Sequence, residues 1–270
     1  MDAENTGAVR LDATLASRGL ARSRNQAVQL IADGVVTVDG RPATKPAQRV
    51  TTANVIAVAD SGGYVSRAAL KLLAALDAFP IPVEGRIALD VGASTGGFTQ
   101  VLLERGAELV IALDVGHGQL APSIRAHERV VVVEGENARF LTRDVLAAAG
   151  VEETPTLIVA DLSFISLGLV LPALVETVGT SADFLVLVKP QFEVGRGGIR
   201  EGIVRDPALR EDAVNGVLWS AWDLGLPTAG VISSPIAGGS GNREYLAWLS
   251  TESGSNPTEW TEQVSALVRN

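Results

Sequence analysis

Lysine is rare in this chain, so its few positions are the first candidates for acid–base chemistry. Of the 22 basic residues among 270, 19 are arginine and three are lysine, at Lys45, Lys71 and Lys189. A buried or crowded lysine can lose its proton, whereas an arginine effectively cannot. One interpretation is therefore that the retained lysines take part in proton transfer. The alternative is that three lysines simply remain in an arginine-rich composition.

A glycine-rich loop forms the second candidate site. Residues 88–98, with the sequence ALDVGASTGGF, join a predicted strand to a predicted helix, and glycines at such a turn let the backbone approach a ligand closely. Asp114 ends the next predicted strand, 22 positions after Gly92, where α/β proteins hold ribose hydroxyls. The predicted cofactor contacts in this region are Asp90, Gly92, Ser94, Thr95, Gly96, Gly97, Phe98 and Asp114.

The chemistry of this loop favours a cationic ligand. Its glycine spacing matches neither a dinucleotide fingerprint nor a phosphate-binding loop. The acidic side chains of Asp90 and Asp114 suit a sulfonium ion better than they suit a dinucleotide. The alternative is a glycine-rich turn with a structural role alone.

The same loop also matches the pattern G-x-S-x-G of serine hydrolases, between Gly92 and Gly96. That fold requires an acid and then a histidine, both after the serine. His117 and His127 follow within 33 residues of Ser94, and no histidine comes later in the chain. The sequence therefore disfavours a serine hydrolase.

The elements around these residues alternate between apolar strands and helices, which predicts an α/β fold with a doubly wound, mostly parallel sheet. We expect the polar tail 251–259 to be loose before a last short helix. The predicted strands are 87–91, 109–113, 130–133, 157–160, 184–188, 228–233 and 244–249. The predicted helices are 65–76, 98–105, 119–126, 139–149, 167–178 and 207–224.

The first sixty residues form a smaller predicted domain. Helices are expected at 10–20 and 22–33, and strands at 35–38 and 55–58, with a hairpin turn at residues 39–40. The predicted organisation is an N-terminal domain over 1–59, a linker over 60–66 and a larger domain over 67–270.

Charge is distributed unevenly between these two domains. Residues 10–50 carry seven basic and three acidic side chains, whereas residues 61–270 carry fifteen basic and twenty-five acidic ones, within a net charge of −9. Any contact with a polyanion is therefore expected at the basic N-terminal domain. The alternative is chance asymmetry.

Composition excludes several classes of protein. The chain has no cysteine and two histidines, which argues against thiolate and histidine-rich metal centres, so we predict no metal. No apolar run approaches the ~20 residues of a membrane span, and the first nine residues do not resemble a secretory signal. We therefore expect a cytoplasmic protein; its oligomeric state is open.

Several longer segments carry a family resemblance. They are YVSRAALKL from Tyr64, DVGASTGGFT from Asp90, ALDVGHGQL from Ala112, ADLSFI from Ala160, VKPQFE from Val188 and GNREY from Gly241. In this order they resemble the TlyA family, once called hemolysin A, and the larger domain is similar to FtsJ-type methyltransferases with a Rossmann-like class I fold. The stretch from Arg10 to Gly40 resembles an α+β S4 RNA-binding domain.

The resemblance implies an S-adenosylmethionine-dependent enzyme that methylates the ribose 2′-hydroxyl of cytidine in ribosomal RNA, with ribosomal RNA or subunits as partners. It also implies a catalytic tetrad of Lys71, Asp161, Lys189 and Glu244. A 2′-hydroxyl is a poor nucleophile until its proton is drawn away, which requires an amine with a lowered pKa. We expect Lys189 nearest to the hydroxyl; alternatively, it orients a hydroxyl whose proton leaves to water.

Further contacts follow from the resemblance and from position. Asp161 and Asn137 are expected to contact the cofactor as well. Alternatives stay open for single residues: Lys71 as a solvated helix residue, Glu244 paired with an arginine, and arginines of the N-terminal domain paired with Asp12 or Asp33.

Two other functions compete, a membrane-active cytolysin and an RNA-binding regulator without catalysis. The expected RNA-binding residues are Arg10, Arg18, Arg22, Arg24, Arg41, Lys45 and Arg67.

Overall fold

The computed structural model describes residues 7–21, 23–32, 35–58, 62–195, 198–238 and 241–269. The chain divides into two compact units, residues 1–63 with 237–241 and residues 64–236 with 242–270. Arg22, Asp33 and the predicted linker residues 60 and 61 lie outside the described residues. The domain boundaries at 59 and 67 stay a prediction.

The first unit is a small α+β structure. Strand β2 pairs antiparallel with β3 and β5, and β1 pairs antiparallel with β4. Its core is formed by apolar side chains of both helices and of the strands, among them Leu11, Ile31 and Val36. The two predicted helices are present, although both are shorter than expected. The elements are β1 (Val9–Arg10), α1 (Leu11–Ser17), α2 (Arg24–Ala32), β2 (Val36–Val38), β3 (Arg41–Pro42), β4 (Arg49–Val50) and β5 (Ile56–Val58).

The second unit alternates strands and helices as the sequence predicts. The short 3₁₀ helices Ala138–Phe140 and Pro257–Trp260 accompany the longer elements. The elements are α3 (Ala68–Ala78), β6 (Ile87–Val91), α4 (Gly97–Glu104), β7 (Leu109–Asp114), α5 (Pro122–Arg125), β8 (Val130–Glu134), α6 (Arg143–Ala148), β9 (Leu157–Ala160), α7 (Leu167–Val178), β10 (Asp183–Val188), α8 (Pro190–Glu193), α9 (Pro207–Asp223), β11 (Thr228–Ser233), β12 (Tyr245–Leu249) and α10 (Thr261–Arg269).

In the part of the chain that the structure describes, seven strands of this unit form one sheet in the order β11-β12-β10-β9-β6-β7-β8. Every neighbouring pair is parallel except the two pairs made by β12, which is antiparallel to β10 and β11. The prediction of a mostly parallel, seven-stranded sheet is confirmed. The chain winds outward from β6 to β8 and then returns to β9 on the other side of β6, so the order reverses between β6 and β9. Ligands of such sheets bind at this reversal.

Both faces of the sheet are covered, which explains the continuous apolar runs of its strands. Leu157 and Val159 of β9 belong to one buried cluster, whereas Ile158 and Ala160 belong to the other. Alternate residues of a strand point to opposite faces, so each face of the sheet receives its own core.

In the second unit, the helix expected over 65–76 is shifted to Ala68–Ala78, and three further predictions about the elements differ from the structure. The helix expected over 119–126 is only Pro122–Arg125, and the one expected over 139–149 is split into a 3₁₀ helix and α6. The expectation of a loose tail is wrong, because Ser255 pairs with Thr228 through two backbone hydrogen bonds of 2.8 and 3.1 Å. Trp260 adds a bond from its indole N–H to the Ser255 hydroxyl, at 3.1 Å. Among the described residues, no helix is both long and apolar enough to cross a membrane.

Candidate active site

The sheet topology brings four predicted site residues together at the carboxyl ends of the parallel strands. Gly92 follows β6, Asp161 follows β9 and Lys189 follows β10, and these three strands are parallel neighbours. Glu244 precedes β12, which is antiparallel to β10 in a register that pairs Tyr245 with Val188. The start of β12 therefore lies beside the end of β10. Residues separated by up to 152 positions in sequence, Gly92 and Glu244, therefore lie at the same end of the sheet.

The four predicted tetrad residues form one connected ion-pair cluster. Lys189 Nζ lies 2.5 Å from Asp161 Oδ1, and Lys71 Nζ lies 3.4 Å from Asp161 Oδ2. Lys71 Nζ also lies 2.7 Å from Glu244 Oε2. Both lysine side chains are only 9% exposed, so Lys71 is not a solvated helix residue, and the described partner of Glu244 is a lysine rather than an arginine.

The cluster holds two positive and two negative groups around one shared carboxylate. Burial acts to raise the pKa of Asp161, but the charges of Lys189 and Lys71 outweigh it and lower that pKa to about 2. Burial likewise acts to lower the pKa of Lys71, but Asp161 and Glu244 outweigh it and raise that pKa above its usual value. The raised pKa of Lys71 therefore follows from the two carboxylates that contact its ammonium group.

The glycine loop has the backbone that its sequence predicts. Gly92, Ser94 and Gly96 all have positive φ, at 85°, 48° and 97°. A Cβ on Gly92 would lie 2.8 Å from the carbonyl oxygen of Asp161, and one on Gly97 would lie 3.1 Å from the backbone nitrogen of Ala69. A side chain at Gly92 would therefore clash within the protein itself, whereas one at Gly97 would require its neighbours to shift by a few tenths of an ångström.

The remaining predicted cofactor contacts surround this loop. Asp114 Oδ2 accepts a hydrogen bond from the Ser94 amide and Oδ1 accepts one from the Gly116 amide, each at 2.7 Å. The Thr95 carbonyl accepts from the Ala121 amide at 3.0 Å. Phe98 is buried in the core, so its side chain does not face the loop surface. Asn137 is exposed and accepts from the Arg139 amide at 3.0 Å.

Charge around the loop fits a sulfonium cofactor. Burial is the largest cause of the raised pKa of Asp90, and the charges of Asp161 and Asp114 add to it. The carboxylate of Asp114 lies against the loop and favours a cation over a phosphate chain. Among the described residues, no group of three or more histidine, aspartate or glutamate side chains could hold a metal ion.

Asp90 itself lies beneath the loop. Its side chain is fully buried and accepts a hydrogen bond from the Thr99 hydroxyl at 2.6 Å. Burial raises the pKa of Asp90 to about 7; the bond from Thr99 opposes this shift, and Asp161 and Asp114 add to it. Whether Asp90 contacts a cofactor stays a prediction.

Replacing Asp90 by asparagine should remove a pH dependence of folding stability. Asp90 is protonated in the folded protein below about pH 7, whereas it ionises near ~3.9 in the unfolded chain. The folded state therefore binds more protons between these values, and the stability that Asp90 contributes falls as the pH rises from about 4 to about 7. An asparagine cannot ionise, so Asp90→Asn should gain stability relative to the wild type over this interval, by up to about 4 kcal/mol.

Urea unfolding at pH 5 and pH 8 measures this effect. Asp77→Asn is the control, because Asp77 is an exposed carboxylate in a surface ion pair with Arg105. The same stability difference between Asp90→Asn and the wild type at both pH values would contradict the prediction.

One exposed aromatic residue beside the tetrad was not predicted. Phe164 is 91% exposed and has a φ of +66°, a backbone conformation that is unfavourable for a large side chain. Its ring lies 5.3 Å from that of Phe192, and it directly follows Ser163, which contacts Lys189. An apolar residue within a predicted loop is the sequence signal that could have identified it.

The structure shows two of the predicted RNA-binding arginines in ion pairs. Arg10 Nη2 lies 2.7 Å and Arg24 Nε lies 3.1 Å from Asp12 Oδ2. This agrees with the alternative that arginines of the first domain pair with Asp12. Arg18 donates to the carbonyls of Thr51 and Asn54. Arg41 and Lys45 are exposed, and Arg67 is half-buried at the start of α3.

Comparisons with known proteins agree on two domains. The chain matches the FtsJ-like methyltransferase family over residues 64–251 and the S4 domain over residues 9–56. It is 53% identical to a 16S/23S rRNA (cytidine-2′-O)-methyltransferase TlyA of Mycobacterium tuberculosis over 246 residues, which is 90% of both chains. It is 41% identical to Hemolysin A of Brachyspira hyodysenteriae, covering 88% of this chain and 98% of that one.

A solved structure supports the same assignment. A protein of Streptococcus thermophilus that carries a hemolysin name superposes with a TM-score of 0.74 at 38% identity, covering 98% of this chain and 96% of the other. The predicted combination of an S4 domain with a Rossmann-like methyltransferase is confirmed.

Proposed function

The chain belongs to the FtsJ-like methyltransferase family and to its S4-containing TlyA group, and from this premise we propose that it methylates cytidine at the ribose 2′-hydroxyl in 16S rRNA, 23S rRNA or both. S-adenosylmethionine is the proposed methyl donor. The observation that carries the proposal is the ion-pair cluster of Lys71, Asp161, Lys189 and Glu244. It lies at the carboxyl ends of the parallel strands, where ligands of this fold bind.

The residues of the cluster divide the work. When bound, S-adenosylmethionine supplies a methyl group on a positively charged sulfur. Lys189 lies nearest to the 2′-hydroxyl and, in its neutral form, accepts the hydroxyl proton; general base catalysis of this kind contributes about 10²- to 10⁴-fold. Asp161 fixes Lys189 and Lys71, and Glu244 fixes Lys71 from the other side. In the alternative, Lys189 only orients the hydroxyl, and the proton leaves to water.

The loop of residues 92–97 and the carboxylate of Asp114 are the proposed cofactor site. Asp114 is bonded to two backbone amides, so its position is fixed before any ligand arrives. Each of its oxygens keeps a second lone pair, which suits the two hydroxyls of a ribose. Asn137 stays a proposed contact.

The assay for this function incubates the purified protein with labelled S-adenosylmethionine and with ribosomal RNA, small subunits or large subunits, and maps 2′-O-methylated nucleotides. We expect label in cytidine of at least one substrate. No transfer to any substrate, or transfer that is unchanged in Lys189→Ala, would overturn the proposal.

The S4 domain is the proposed RNA anchor, and its exposed cations give a prediction. Arg41→Gln combined with Lys45→Gln should weaken RNA binding, because both cations are proposed to contact phosphates. The slope of log K against the logarithm of the salt concentration should also become less steep, by about 0.7 to 0.9 for each lost contact. Both side chains are exposed, so the fold should be unaffected. Filter binding over a salt series measures the slope, with Arg143→Gln in the other unit as the control. An unchanged slope would show that these two residues do not contact phosphate.

Phe164 is the proposed stacking platform for the target base, since exposed aromatic rings hold unpaired bases in RNA-binding proteins. Phe164→Gly should lower methyl transfer by about 5- to 150-fold, the equivalent of ~1–3 kcal/mol of lost stacking. The same change should make the protein more stable by up to ~1–2 kcal/mol, because glycine tolerates the positive φ. Single-turnover rates and urea unfolding check the two effects, with Phe164→Tyr as the matched control that should stay active. A Phe164→Gly variant as active as the wild type would contradict the stacking role.

The hemolysin names belong to the relatives that carry them. A cytolysin would need a segment that enters a membrane, and among the described residues no helix is long and apolar enough to cross one. Leakage from liposomes in the absence of detergent would be the observation that supports a cytolysin. A regulator without catalysis predicts a degenerate tetrad or cofactor loop, whereas both are intact here.

A further inference from the structure

The loop between β9 and α7 is held in place by the segment that carries Lys189. Ser163 Oγ lies 2.9 Å from Lys189 Nζ, and the Phe164 ring contacts that of Phe192. Glu193 accepts hydrogen bonds from the Ser166 hydroxyl at 2.5 Å and from the Leu167 amide at 2.9 Å. Three consecutive parts of the loop are thus tied to residues 189–193, which explains how the strained φ of Phe164 is maintained.

These contacts give the Lys189 nitrogen a defined orientation. Its hydrogen-bond acceptor among the described residues is Ser163 Oγ at 2.9 Å, and Asp161 Oδ1 lies 2.5 Å away in an ion pair. A lysine ammonium carries three N–H groups in a threefold arrangement. The hydrogen bond to Ser163 therefore fixes the rotation about the Cε–Nζ bond, and Asp161 occupies a second side of the nitrogen, which leaves a third side for the substrate. With the ion pair to Asp161 alone, the rotation about this bond would not be fixed.

We propose that Ser163 is a positioning residue for Lys189, an inference that rests on the proposed function. When Lys189 releases a proton to water from its third position, the lone pair appears at that position and faces the substrate. The amine then takes the 2′-hydroxyl proton while the 2′-oxygen forms its bond to the methyl carbon, and the electron pair of the broken bond stays on sulfur. Without the Ser163 hydroxyl, the lone pair is no longer confined to this direction.

The test compares single-turnover methyl transfer by Ser163→Ala, Ser163→Thr and the wild type on the rRNA substrate. Ser163 is exposed and lies outside regular structure, so Ser163→Ala should fold normally. We expect its rate constant to fall by about 10- to 100-fold, since hydrogen bonds to charged groups have this magnitude. The dissociation constants of S-adenosylmethionine and RNA should change less than about twofold, because Ser163 acts on orientation rather than on binding. Ser163→Thr keeps the hydroxyl and should restore the rate to within about threefold of the wild type.

Ser220→Ala is the matched control, because its hydroxyl bonds only the Gly216 carbonyl of its own helix among the described residues. Its rate should equal that of the wild type. A Ser163→Ala variant with the wild-type rate, or one whose loss is fully explained by weaker cofactor or RNA binding, would overturn the positioning role and leave the proposed function intact. A wild-type protein that transfers no methyl group would overturn the proposed function itself, and the inference with it.

Discussion

Replacing Lys189 by arginine should abolish methyl transfer although the positive charge is kept. If Lys189 takes the 2′-hydroxyl proton, it has to become neutral, which a guanidinium cannot do at accessible pH. We expect a loss of about 10²- to 10⁴-fold in the single-turnover rate for Lys189→Arg and at least as much for Lys189→Ala. Binding of S-adenosylmethionine, measured by calorimetry, should change far less than the rate.

The control for this prediction is Lys45→Arg, because Lys45 is exposed in the other compact unit. Its methyl transfer should match that of the wild type. A Lys189→Arg variant that keeps substantial activity, beside an inactive Lys189→Ala, would instead support the alternative in which Lys189 only orients the hydroxyl and the proton leaves to water.

Removing Asp161 should have the largest effect on stability. Its carboxylate is the shared partner of Lys71 and Lys189, and both ammonium groups are largely buried. Asp161→Ala leaves Lys189 without its carboxylate and Lys71 with Glu244 alone. Breaking a buried ion pair by removing one partner costs about 3–5 kcal/mol, because an uncompensated charge remains in the interior. Methyl transfer should be lost as well.

Urea unfolding at pH 7 measures this cost, and Asp77→Asn is the matched control. Asp77 pairs with Arg105 at the surface, where such pairs contribute about 0–1 kcal/mol. Because the pKa of Asp161 is lowered to about 2 in the folded protein, its stabilising contribution is complete above pH ~4 and disappears as the pH falls toward 2. An Asp161→Ala variant as stable as the wild type at pH 7 would contradict the prediction.

The sheet could be predicted because its strands carry local signals. Strands covered on both faces are continuous apolar runs, and β9 and β10 are recognisable on that basis alone. The tetrad was implied by the family resemblance instead. The position of Asp161 and Lys189 directly after two such runs agrees with it, because the carboxyl ends of parallel strands lie together.

The remaining features depend on contacts between distant segments. Periodicity does not reveal that Glu193 would hold the loop before α7 or that Ser255 would pair with Thr228. Ser163 was not predicted because its contact with Lys189 depends on its position in the fold, not on its residue type.

The last strand of the sheet, β12, is inserted between β10 and β11 and does not lie at an edge. Until it is added, β10 presents one unpaired edge, and Lys71 lacks Glu244. The ribosome must therefore synthesise residues 244–249 before the sheet can close and the site can assemble. A chain released before residue 244 would expose an apolar strand edge, of the kind that leads to aggregation, rather than fold into a weaker enzyme.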